Sequence, residues 1–156
     1  MIKNYTSSVP AAQSVSFIEQ KLQTHGASDI MKRYNPKKEL AALCFIIAVE
    51  GRQVPFKLPA RVEQCEQRLL AERMRGRQRA MLPSARETIR QQAERTAWKI
   101  LADWVALQLT LIELDQVKFI EIFMSFTYDP ATDQTFFERM QATKFKGLLP
   151  AKTEST

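Results

Sequence analysis

The chain has 156 residues, 23 Lys and Arg against 17 Asp and Glu, a net charge of +6 and 45% hydrophobic residues. These values suit a globular domain that builds a core without disulfides or metal, and they exclude collagen, a disulfide scaffold and wholesale disorder. The charge is uneven: residues 61–99 hold ten basic and five acidic residues, whereas 100–143 hold two and seven.

The termini and cysteines point to the cytoplasm. Met1–Pro10 lacks the apolar stretch of a secretory signal, and no run approaches the roughly 18 apolar residues of a membrane span. Cys44 and Cys65 have no zinc or redox spacing and read as two reduced thiols.

Taken in chain order, Lys3–Val9 alternates loosely and predicts a short strand. Ser14 looks like a helix N-cap, followed by Val15, Ile18 and Leu22 on one helical face, with Gly26 closing a helix over 14–25. Residues 28–34 predict a strand and Asn35-Pro36-Lys37-Lys38 a turn. Leu40–Glu50 is apolar on both alternating faces, which predicts a central strand covered on both sides. After a reversal at Gly51-Arg52, Val54, Phe56 and Leu58 alternate with Pro55, Lys57 and Pro59; the prolines confine this strand to an edge. Helical spacing then runs from about 60 to 74, and 75–83 reads as a basic linker.

Ser84-Ala-Arg-Glu87 has the form of a capping box and opens a segment free of Gly and Pro up to Tyr128. Ile89, Ala93, Ala97, Ile100, Trp104, Leu107, Leu111 and Leu114 form one apolar stripe; Leu101, Val105, Leu109, Ile112, Phe119 and Phe123 form a neighbouring one. One helix of about 40 residues would span roughly 60 Å, so the segment either breaks once or protrudes to pack against another chain. Its first half, 84–95, is polar and is expected in solvent. Trp98 and Trp104 sit about 240° apart on such a helix, which leaves one of them free to face a partner. Asp129-Pro130 is expected to end the long helix, and Thr135-Phe-Phe-Glu138 to open a short one. The expected architecture is α+β: one domain over 1–150 with a small antiparallel sheet of three or four strands flanked by helices and a long C-terminal helix. Its parts are a sheet–helix part at 1–74, the basic linker 75–83 and a long-helix part at 84–143, with a tail over 144–156.

The residues offer little enzyme chemistry. His25 is the sole histidine and falls at a helix C-terminus, where a cation suits the helix dipole. No phosphate-binding glycine loop, zinc motif or nucleophile elbow occurs. No cofactor, metal or catalytic residue is assigned, and the chain reads as non-enzymatic. The basic residues carry more signal. Lys32, Arg33, Lys37 and Lys38 form one cluster; Arg73, Arg75, Arg77, Arg79, Arg86 and Arg90 form a second. Arginine forks suit phosphate, and such density predicts contact with nucleic acid or a nucleoprotein. Tyr34 and Phe56 are aromatic candidates for stacking on bases.

The order helix, three strands, helix over 14–74 resembles that of a double-stranded RNA-binding domain, although Pro59-Ala-Arg-Val-Glu63 lacks that family's lysine patch. Val54-Pro-Phe-Lys-Leu-Pro-Ala-Arg-Val-Glu63 and the segment Gln92-Ala-Glu-Arg-Thr-Ala-Trp-Lys-Ile-Leu-Ala-Asp-Trp104 resemble a family of small proteins of phages and integrated mobile elements. That resemblance carries no activity. It implies a genomic setting: an accessory factor near DNA replication or recombination, or an inhibitor that docks on a host nucleic-acid-guided defence complex. Self-association through the long helix is also expected; a membrane partner is not.

Overall fold

The computed structural model describes residues 2–77, 79–148 and 150, and the chain is α+β. The elements are α1 (Ala11–Thr24), β1 (Asp29–Tyr34), β2 (Leu40–Val49), β3 (Arg52–Pro59), α2 (Val62–Met74), α3 (Pro83–Glu113) and α4 (Phe119–Phe123). A 3-10 turn at Met124–Phe126, the two-residue strands β4 (Tyr128–Asp129) and β5 (Gln134–Thr135), and α5 (Phe136–Ala142) complete them.

The first three strands form an antiparallel sheet in the order β1-β2-β3, with the most apolar strand in the centre. Pro55 and Pro59 lie on the edge strand β3, where a missing N–H does no harm. The β2–β3 reversal is tight because Glu50 and Gly51 both take left-handed backbone angles, φ 49° and 80°, as a two-residue hairpin of matching twist requires.

The inner face of the sheet carries Leu43, Phe45, Ile47, Phe56 and Leu58. They join Val15, Ile18 and Leu22 of α1, and Trp98, Ala102, Val105 and Leu109 of α3, in one buried cluster. Phe45 stacks on Phe56 with ring centres 5.3 Å apart, and Phe119 meets Phe56 edge-on at 5.3 Å. The outer face is only partly covered: Ala42 and Cys44 are buried, but Ala48 is exposed. The two-sided cover expected for β2 holds at one end only, because a single helical layer packs on this sheet. On the other side lie the short β4–β5 hairpin, joined to the edge of β3 by a bridge between Phe56 and Thr127, and α5, whose Phe137 and Gln141 line a pocket with Ala42 and Lys57.

Several local expectations shift. Residues 3–6 form a turn and 7–9 run irregularly, so no strand forms there; this segment lies against α3, where the Asn4 carbonyl accepts from Thr96 and the Ser7 carbonyl accepts from Gln92 and Arg95. Helix α1 begins at Ala11 after Pro10, so Ser14 is not a cap but a buried residue of the first turns. Helix α3 begins with Pro83 at its first position, so Ser84 lies inside the helix and the expected capping box does not form. Proline's fixed φ and missing donor suit that position better than a serine cap one residue later. The long segment breaks once, at Glu113, where Asp115 turns left-handed with φ 55°. The 31 residues of α3 span about 46 Å. Asp129-Pro130 belongs to the β4–β5 hairpin and does not end the long helix. The second capping box does form: the Thr135 hydroxyl accepts from the Glu138 amide, and the Glu138 carboxylate accepts from the Thr135 amide. The tail expected at 144–156 lies partly outside the described residues; 143–147 form turns.

The stripes of α3 resolve in favour of the second. Val105 and Leu109 are buried with Trp98 and Ala102, while Leu107 and Leu114 of the first stripe are 60% and 63% exposed. Leu111 is only half-buried. The first half of α3 is not free in solvent either, since Ile89 and Ala93 are buried. Accordingly, Leu109→Ala should cost about 2–5 kcal/mol in urea unfolding and Leu107→Ala under about 0.5 kcal/mol. The reverse order would show that the two faces are misassigned.

Candidate nucleic-acid interface

Helices α2 and α3 pack against each other as an antiparallel hairpin. Glu63 and Glu66, three apart on α2, share a face, and both reach Arg90 on α3. The Arg90 guanidinium donates through Nη1 to Glu66 at 2.6 Å and through Nη2 to Glu63 at 3.3 Å. It also makes a two-pronged contact with Glu39, Nε at 2.9 Å and Nη2 at 3.0 Å. The Arg90 side chain is 15% exposed. Hydrogen bonds from Arg90, with a further one from Asn35, hold the Glu39 carboxyl below the usual glutamate range; the same contacts push the guanidinium still higher.

Glu39 lies at the end of the β1–β2 turn, so this cluster ties the turn to the helical hairpin. Asn35 fixes the turn from within, its side-chain oxygen accepting from the Glu39 amide at 2.9 Å. Lys37 and Lys38 stand exposed on the turn. Arg86 is four residues before Arg90 and therefore about 6 Å along α3. The fold thus brings Lys37 and Lys38 to the side of the hairpin that carries the second basic cluster.

The tip of the hairpin is strongly basic. Between Glu72 and Glu87 the chain has five arginines and no acidic residue. Arg73 lies in the last turn of α2, Arg75 caps that helix, Arg77 and Arg79 occupy the loop, and Arg86 lies in the first turns of α3. All five are exposed, and none makes an ion pair among the described residues. Arg68, just behind them, is already paired with Glu72 at 3.3 Å. Gly76, with φ 78°, lets the chain turn sharply as it leaves α2.

The other two predicted residues separate. Adjacent residues of a strand point to opposite faces. Lys32 turns to the helical side and pairs with Glu19 of α1 at 3.4 Å. Arg33 turns to the outer face and donates to the Tyr128 hydroxyl, which in turn donates to Asp133 at 2.8 Å. Lys57 reaches Asp133 at 3.5 Å, and both cations lie over the Tyr128 ring, 5.7 and 5.5 Å from its centre. Burial pushes the Tyr128 hydroxyl up, and the Tyr128 hydrogen bond holds Asp133 below the usual carboxylate range. This cluster pins the β4–β5 hairpin over buried Cys44. Arg33 and Tyr128 are 95 residues apart and Lys57 and Asp133 are 76 apart, so no local spacing announces the cluster. Of the two aromatic candidates, Phe56 is fully buried in the core, whereas Tyr34 is exposed beside the lysine turn.

His25 joins helices, its ring nitrogens lying 2.9 Å from the Lys21 carbonyl and 3.0 Å from Glu113. Both cysteines are free thiols, pushed up by burial. Among the described residues no group of three or more His, Cys, Asp or Glu side chains is arranged to hold a metal ion.

Arg90→Ala should destabilise the protein by about 1–3 kcal/mol, because three carboxylates lose their shared donor. The pH dependence follows from the lowered Glu39 value. Its stabilising contribution is complete above the ordinary value of 4.5 and is lost as pH falls through the lowered value. The stability gap between the native protein and Glu39→Gln should therefore be full at pH 7 and shrink below about pH 4.5. Urea unfolding across that range checks it, and a constant gap would contradict the cluster.

Comparison with protein-family models, with curated proteins and with solved structures finds no match for this chain. The reading of the basic surface rests on its own charges and geometry.

Proposed function

We propose that the chain is a small non-enzymatic protein that grips the backbone of nucleic acid, free or in a nucleoprotein. The contact residues are Arg73, Arg75, Arg77, Arg79 and Arg86, with Lys37 and Lys38 beside them and Arg90 as the positioning residue. One observation carries this reading: five exposed arginines crowd one helical tip without a carboxylate partner among the described residues, while Glu39, Glu63 and Glu66 behind them are all held by Arg90. Stability alone does not call for such an arrangement, since like charges repel and each side chain loses freedom when ordered.

An exposed set of long, flexible guanidinium groups matches phosphate rather than base edges, so binding is expected to be insensitive to sequence. Tyr34, exposed at the end of β1, offers a ring on which an unpaired base near Lys37 would stack in this reading. An accessory role in a phage or mobile element accords with the two sequence motifs that suggested that setting. No described helix is long and apolar enough to cross a membrane. A cytoplasmic location accords with the two free thiols.

The test is fluorescence anisotropy with labelled single- and double-stranded DNA and RNA. Five phosphate contacts on duplex DNA predict a fall of about 500-fold in affinity between about 50 and 200 mM salt. Replacing Arg73, Arg75, Arg77 and Arg79 together with Ala should leave the unfolding curve unchanged. The slope of log affinity against log salt should become shallower by about 3–4. Unchanged affinity in that variant, or no binding at the lower salt, would overturn the proposal.

A further inference from the structure

The first apolar stripe of α3 is only partly used by the fold: Ala97 and Trp104 pack against the core, Ile100 and Leu111 are half-buried, and Leu107 and Leu114 are exposed. Ala97, Ile100, Trp104, Leu107, Leu111 and Leu114 are spaced 3-4-3-4-3, which is the spacing of a two-helix seam. The core of the fold uses a different stripe, centred on Ala102, Val105 and Leu109. The outward one is left open at Leu107 and Leu114. At its upstream end it runs into a groove of about 420 Å³ lined by Ile2, Ala97, Ile100 and Trp104, with the exposed Arg61 and Arg68 at its edge.

The geometry points to a second copy of this chain as the occupant, with the two α3 helices antiparallel about a two-fold axis between Trp104 and Leu107. In that register Ala97 faces Leu114 of the other copy, Ile100 faces Leu111 and Trp104 faces Leu107. Small meets large at the ends, and every layer is apolar. The exposed Leu114 of each copy enters the groove of the other. Exposed Asp115, the next residue, then comes to the edge that carries exposed Arg61, which has no ion pair among the described residues, so the charges are complementary; Arg68 beside it is held by Glu72. The residues beside the seam place no like charges in contact: Asp103 already engages Lys99 at 2.9 Å, and Glu113 engages His25 at 3.0 Å.

A parallel pairing is disfavoured on two counts. It would stack Trp104 on its own copy, and it would bring the two arginine tips side by side. The antiparallel arrangement sends the tips to opposite ends. Some 22 residues of helix separate Pro83 from the axis, which sets the tips about 70 Å apart. If the tips bind duplex as proposed above, that distance corresponds to about 20 base pairs. This last consequence alone depends on the function reading; the pairing does not.

Sedimentation velocity on the protein without nucleic acid, from about 1 to 300 µM, tests the pairing. The native chain of 18.0 kDa should shift toward about twice that mass as concentration rises. Leu107→Glu, at an exposed position, should keep its helix content and melting curve and stay at 18.0 kDa throughout. Orientation is read by mixing Ile100→Cys with Leu111→Cys, each in a Cys65→Ser background, under mild oxidation. Disulfide-linked mixed dimers are expected. A native chain that remains monomeric, or a dimer that survives Leu107→Glu, would overturn the proposal. Links confined to like copies would overturn the register.

Discussion

The structure depends on one arginine held by three carboxylates. Arg90 draws Glu39 from the β1–β2 turn and Glu63 and Glu66 from α2 onto α3, so a single guanidinium fixes the sheet, the returning helix and the long helix relative to one another. An arginine at 15% exposure facing no acid would be costly, as would the partly buried Glu39 and Glu66 without their cation; Glu63 is exposed and adds a solvent-facing contact. Each member therefore constrains the others. The cluster also sorts the charge of the hairpin. It takes three acidic groups out of play, and Arg68 takes a fourth, Glu72. The arginines beyond them are left without counter-charges among the described residues. The same contacts that order the interior produce the bare basic tip.

Helix α3 works on two sides. Its inner stripe closes the core against β2 and α1, with Trp98 fully buried. Its outer stripe begins under the N-terminal segment and α2 and runs out of cover beyond Trp104. Trp104 marks the changeover: its ring packs on Phe123 and Phe126 at 5.4 and 5.8 Å, yet it also lines the open groove. A 31-residue helix on a three-stranded sheet cannot be covered along its whole length by this chain alone, and the exposed leucines are where the cover ends.

Much of the fold was legible because its signals are local. Strand β2 follows from an unbroken apolar run, the edge position of β3 from its prolines, α1 from Val15, Ile18 and Leu22, and the last helix from Thr135 and Glu138. The basic tip was legible from arginine density. The failures have physical causes. Two apolar stripes with the same period cannot be ranked without knowing what packs on each, so Leu111 looked as buried as Leu109. Ser84 and Pro83 give competing start signals, and the one that fixes the backbone prevails. Nothing local separates Arg90 from its neighbours; the only trace was Glu63 and Glu66 at helical spacing. Lys32 and Arg33 looked like one cluster because charge counting ignores that a strand sends adjacent side chains to opposite faces. The partners of Arg33 lie far along the chain.

The central claim is that the arginine tip and the lysine turn form one surface for nucleic acid. The most direct measurement is a titration of isotope-labelled protein with a short duplex, followed by amide chemical shifts. The account predicts that the largest shifts fall within 73–86 and at Lys37 and Lys38. The amides around Arg33 and Tyr128 should stay still. Shifts centred on the outer sheet face or on the Trp104 groove, with the tip unmoved, would contradict it.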